Sequence, residues 1–96
     1  MDINAFKETL TSSAPPNDLP VCLIALWYDA KGDWNKAHEI IQNSSHEHAS
    51  WIHAYLHRKE GDIFNADYWY RRANRQRPNA TLQQEWEQLA EAMIEV

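Results

Sequence analysis

The stretch Ala54–Pro78, AYLHRKEGDIFNADYWYRRANRQRP, decides the fold. It opens on a helix-forming segment, breaks at Gly61, and resumes at once behind Asp62. Glycine is the residue that closes a helix in a left-handed conformation, and aspartate is a strong helix N-cap. The pair Gly61-Asp62 therefore reads as a tight turn between two helices. Pro78 stops the second of them. Shifted by 29 residues, the stretch overlays an earlier one: Ala25 falls on Ala54, Gly32 on Gly61, Asp33 on Asp62, Ala37 on Ala66 and Ile41 on Tyr70. Two antiparallel helices approach closely only where their facing side chains are small. Ala25 with Ala37, and Ala54 with Ala66, supply such contacts across each turn.

Working outward, residues 1–10 form a short helix with Ile3, Phe6 and Leu10 on one side. Residues 11–20, TSSAPPNDLP, hold three of the four prolines and read as a linker. Asp18 is the expected N-cap of a helix that runs to about Lys31, with Pro20 in its first turn. Asp33 starts a helix to about Gln42. Ser44 and Glu47 have capping-box spacing, which places the next helix at about 47–60. The helix from Asp62 is expected to run to about Gln76. Thr81 and Gln84 form a second capping box. The last helix carries Leu82, Trp86, Leu89, Ala90 and Met93 as an amphipathic stripe. Its polar face is Gln83, Gln84, Glu85, Glu87, Gln88, Glu91 and Glu95, so it suits a capping helix that closes the repeats. No strand-like alternation occurs. The fold class is all-α, in one domain of 1–96: N-terminal helix and linker 1–18, first hairpin 19–45, second hairpin 46–78, capping helix 79–96.

The whole chain sets bounds. Its 96 residues, 44% hydrophobic and 24% charged, are ordinary for a small soluble domain. With one cysteine, Cys22, there is no internal disulfide. Cys22 lies in an apolar helix, where a thiol is inert. A net charge of −5 argues against nucleic acid as the main partner. The N-terminus lacks a basic segment and long apolar run, and Val21–Tyr28 is far short of the ~20 residues that span a bilayer. A cytoplasmic protein with no membrane partner is expected.

The stretch Ala54–Pro78 resembles a tetratricopeptide repeat, or its shorter SEL-type relatives. Ala54, Gly61, Ala66, Tyr70, Ala73 and Pro78 stand at family spacing. The first repeat keeps Ala25, Tyr28, Gly32 and Ala37, but has Ser44 and Ala49 where Ala73 and Pro78 stand in the second. The resemblance covers roughly residues 19–78. It implies two stacked helical hairpins and a non-catalytic module that binds a protein or peptide along one face, without a cofactor. It places that concave face on His48, Trp51, Tyr55, Arg58 and Lys59. Physically, rigid aromatics supply area there, and the two bases suit an acidic or carboxylate-ended peptide. The competing reading is that Trp51 and Tyr55 pack against the preceding repeat.

Five histidines stand out: His38, His46, His48, His53 and His57. His53 and His57 have the i, i+4 spacing that lets two imidazoles share a metal. There is no H-E-x-x-H, and no cysteine or carboxylate stands with the pair as a third ligand. In the repeat overlay they replace Ile24 and Tyr28, which face the second helix of their own hairpin. The plainer reading makes them half-buried and hydrogen-bonded to Tyr70 or a backbone carbonyl, with stability lost on protonation below about pH 6. The alternative function is a metal- or small-ligand-binding protein, or a small enzyme, using this pair.

The helix from Asp62 also carries an aromatic–arginine stripe, Phe64, Tyr68, Arg71 and Arg75. It has the makings of a base-stacking or phosphate-gripping face. Pairing of these arginines with the acidic last helix is the economical explanation, since segment 46–80 carries +2 and segment 81–96 carries −4. Five tryptophans exceed what so small a core needs. Some aromatic surface is therefore expected to be shared with a partner or a second copy in a homodimer. No catalytic residue is nominated. The leading expectation is a protein- or peptide-interaction module of unidentified partner.

Overall fold

The turns at Gly32 and Gly61 form as the sequence expects, and they organise everything else. In the computed structural model, which describes residues 1–94, both glycines have positive φ, +86° and +90°. At the first turn Asp33 N–H donates to the Tyr28 carbonyl and Gly32 N–H to that of Asp29; at the second, Asp62 donates to His57 and Gly61 to Arg58. These are the paired closing bonds of a Schellman motif, which satisfy carbonyls that a helix end would otherwise strand. Asp33 and Asp62 then cap the following helices, accepting from Lys36 N–H at 3.0 Å and Asn65 N–H at 3.3 Å.

The helices are α1 (Ile3–Glu8, continued by a 3-10 turn at Thr9–Thr11), α2 (Val21–Ala30), α3 (Trp34–Gln42), α4 (Ala49–Lys59), α5 (Ile63–Arg72) and α6 (Leu82–Ile94). No strand occurs among the described residues. Helix α2 packs chiefly on α3 and α4 on α5, and α3 against α4 makes the seam between the two hairpins. Ala25, Ala37, Ala54 and Ala66 are all fully buried, as close helix approach requires. Helix α6 lies across α2 and α4 and also meets α1. Trp86 is its keystone: the indole stacks on Phe6, with ring centroids 5.7 Å apart, and its N–H donates to the Leu26 carbonyl at 3.1 Å.

Three boundaries differ from expectation. Helix α2 begins at Val21, with extended Pro20 at the cap position instead of Asp18. The Ser44–Glu47 capping box does not form. Ser44 Oγ instead accepts from His46 N–H, and His46 Nδ1 from His48 N–H, so residues 46–48 make a turn and α4 starts at Ala49. Helix α5 stops at Arg72, short of Gln76. Asn74 takes φ +59° and builds a third Schellman closure, with Arg75 N–H donating to the Tyr70 carbonyl at 2.8 Å. Asparagine, like glycine, enters that region at low cost. The Thr81–Gln84 box does form, bonded both ways at 3.0 and 2.9 Å, and α6 follows from Leu82. Glu95, expected on the polar face of α6, lies outside the described residues. No helix among those described is long and apolar enough to cross a membrane.

Candidate functional site

The face expected to receive a peptide is filled from within. Trp51 and Tyr55 are buried beneath α6 and α2. Trp51 Nε1 donates to Glu85 at 3.1 Å, Arg58 pairs with Glu85 at 2.8 Å, and Tyr55 and Lys59 both reach Asp29 at 2.9 Å. His48, half-buried, sits at the N-cap of α4 without capping it. These residues form internal networks: Tyr55 and Lys59 reach back to Asp29 of the first hairpin, while Trp51 and Arg58 are held by Glu85 of α6. Glu85 corrects a second expectation. Placed by pattern on the polar face of α6, it is 0% exposed and accepts from Trp51, Arg58 and Tyr70. Among the described residues, no glutamate of α6 pairs with an arginine of α5 or of the segment after it. Arg77 pairs with Asp67, Glu87 with Lys7, and Arg75 stacks on Trp51 at 3.4 Å from the ring centre.

The histidines behave differently. His53 and His57 are each 7% exposed on α4, and they meet a third ring, His38, which α3 supplies from the other hairpin. His38 Nε2 and His53 Nε2 are 2.9 Å apart. One ring nitrogen from each of the three lies within 4.8 Å of one from each of the others. His57 Nδ1 is 2.7 Å from Glu60 Oε1. An ionised carboxylate only accepts, so Nδ1 carries the proton and the lone pair of the neutral ring resides on Nε2. Neither His53 nor His57 bonds to Tyr70, whose hydroxyl is spent on Glu85.

Two indoles hold the cluster in place. Trp34, one turn before His38, stacks on that ring at 4.9 Å and donates its N–H to the Leu56 carbonyl at 2.7 Å. Trp69 stacks on His53 at 3.9 Å. Burial pushes His53 down to about 4, helped by repulsion from a charge on His38 or His57. Burial also lowers His38, with His57 adding to the effect and Glu60 opposing it. At neutral pH these two rings are therefore uncharged, the state in which imidazole donates to a metal. Cys22 takes no part: burial pushes its thiol up to about 11.

A pH dependence follows. Between pH 6.5 and 4 the unfolded chain binds a proton at His53 that the folded chain refuses, so stability rises with pH across that window. The contribution is complete above about pH 6.5 and is lost as pH falls towards 4, at a cost of about 2–3 kcal/mol. Urea denaturation of metal-free protein at pH 7 and pH 4.5 measures it. His53→Gln is expected to shrink the difference, and an equal difference in both proteins would exclude His53 as its source.

His38 is the residue that pattern reading missed as a ligand. Its signal was present: Trp34 and His38 share an i, i+4 face on the second helix of the first hairpin. In stacked hairpins that helix packs on the first helix of the next, where His53 and His57 stand. No protein-family model, curated protein or solved structure matches the chain.

Proposed function

We propose that this protein is a small metal-binding module built on two tetratricopeptide-like hairpins, with His38, His53 and His57 as its functional centre. The observation that carries the reading is the meeting of the three imidazoles across the hairpin seam. Without metal, His38 Nε2 and His53 Nε2 can share one proton in a hydrogen bond, and a metal would replace that proton. These two ring nitrogens face each other at 2.9 Å, with a third close by and oriented by a carboxylate. Nitrogen donors without thiolate suit zinc, copper or nickel. Because the ligands lie on both hairpins, a bound ion would tie α3 to α4.

Thermal melting of purified protein tests this. At free Zn²⁺ a hundred times Kd, mass action adds about 2.7 kcal/mol to the folded state. For a domain of this size that raises Tm by roughly 10–20 °C. EDTA is expected to reverse the gain. A melting temperature indifferent to Zn²⁺, Cu²⁺, Ni²⁺ and EDTA would exclude the metal reading.

A protein-interaction role has separate support on the outer face of α5. Phe64 is 88% exposed, Tyr68 follows one turn later and Arg71 extends the stripe, while Arg75 lies beyond the helix end and stacks on Trp51. This stripe, in place of the filled groove at Trp51 and Tyr55, is the surface on which the interaction reading now rests.

A further inference from the structure

We infer that the three imidazoles form an open coordination site: His38, His53 and His57 bind one divalent cation of the zinc class, and its fourth position is left to a small exogenous anion or water. This rests on the metal-binding reading above and goes further, because a closed four-ligand site and an open one serve different ends. Structural zinc is enclosed by four protein donors, whereas three donors leave a position at which the metal acts on something else.

The case turns on which side chains can supply a fourth donor. Glu60 and Asp62 lie close to His57, within 4.8 Å of one of its ring nitrogens. Glu60 Oε1, however, is held on His57 Nδ1 at 2.7 Å. The two nitrogens of an imidazole project from opposite sides of the ring. A carboxylate bonded to Nδ1 is therefore turned away from an ion on Nε2, and it acts as a positioning group that fixes the ring and raises its basicity. Asp62 Oδ1 is engaged in capping α5. Trp34 commits its only donor to Leu56, and Trp69 presents a ring face to His53. Cys22 is buried in the core cluster. Among the described residues, the one other donor set that includes any of these histidines is His57 with Glu60 and Asp62, whose carboxylates are engaged as described.

The approach to the site is also uneven. His53 and His57 are almost wholly covered, while His38 is only half-buried, so the free position is reached from the His38 side. Trp34 and Trp69 cover one ring face each of His38 and His53, so a small donor such as water, azide or a carboxylate is the ligand expected at the free position. All three ligand nitrogens lie within 4.8 Å of one another, and the His38–His53 pair needs to open by only a few tenths of an ångström. Zn–N bonds of about 2.0–2.1 Å in a tetrahedron set nitrogens about 3.3 Å apart, against 2.9 Å between His38 and His53 without metal.

Cobalt(II) replaces zinc with visible d–d bands that report its ligands, so the test is a Co²⁺ titration of the full chain, followed by azide. The expected result is one equivalent of Co²⁺ with intense bands, and a saturable shift of those bands on adding azide. His38→Ala, or His38→Asn should the alanine variant lose its helical circular dichroism, is expected to abolish the intense bands. Glu60→Gln is expected to weaken Co²⁺ binding about 10–100-fold while leaving the azide shift intact, as suits a positioning residue. Intense bands that ignore azide until Asp62→Asn or Glu60→Gln is introduced would show a closed site and overturn the inference, leaving metal binding itself in place. Absence of Co²⁺ bands from the folded wild-type chain would overturn both.

Discussion

Arg58→Ala is expected to be the most damaging single substitution away from the histidines, with a loss of about 3–5 kcal/mol. Glu85 is fully enclosed, and its carboxylate accepts from Arg58 at 2.8 Å, Trp51 at 3.1 Å and Tyr70 at 2.7 Å. Only Arg58 brings a compensating charge. Its guanidinium also donates to the Ala80 carbonyl, which ties the 73–81 connection to α4. Burial and the neighbouring Glu85 hold Tyr70 far above the ordinary phenol range, so the phenol stays a neutral donor and cannot neutralise the carboxylate. Removing Arg58 leaves an unpaired buried charge, whereas Glu85→Gln leaves a neutral amide that still accepts from Tyr70 and Trp51. The glutamine variant is thus expected to lose less than the alanine variant. A domain of this length holds roughly 5–10 kcal/mol in all, so Arg58→Ala should approach unfolding at room temperature. Its Tm is expected to fall on the order of 15–30 °C. A loss under about 1 kcal/mol would mean that Glu85 does not depend on Arg58.

The second large effect concerns affinity. Loss of a group that merely orients a metal ligand costs 10–100-fold in binding. Loss of a ligand itself should cost at least as much, so His38→Ala is expected to weaken Zn²⁺ binding by about 100-fold or more. His46 and His48 provide the control, since they belong to the turn before α4 and bond locally. His46→Ala is expected to change affinity less than about 2-fold, within ordinary surface variation. Calorimetric titration of the two variants separates them. Equal weakening would place the metal elsewhere, and no weakening from His38→Ala would reduce the site to the His53–His57 pair.

How much of this was legible beforehand depended on whether the decisive interaction was local. The glycine turns, the Asp33 and Asp62 caps and the Thr81–Gln84 box are all settled within a few residues, and each formed. The buried alanines follow from the repeat. The errors lie where long-range partners override pattern. Glu85 sits on what reads as a polar stripe, yet Arg58 and Tyr70, far away in sequence, draw it inside. Trp51 and Tyr55 look like recognition aromatics until α6 is laid across them. The Ser44–Glu47 box failed for a local reason instead: Ser44 Oγ accepts from His46 N–H, and Ser44 N–H donates to the Ile41 carbonyl. Of the candidate metal centre, the i, i+4 pair was visible from spacing alone. His38 required the order in which the hairpins stack, which the repeat implies for the helices but not for the side chains that meet between them.

The central claim is that three rings from two hairpins converge on one ion, and ring-nitrogen NMR tests it most directly. In a long-range ¹H–¹⁵N correlation spectrum recorded during Zn²⁺ titration, His38, His53 and His57 are expected to move together, saturating at one equivalent. His57 should keep its Nδ1 proton on Glu60 and bind through Nε2. His46 and His48 should stay where they were. Shifts confined to His46 and His48, or none at all, would contradict the claim.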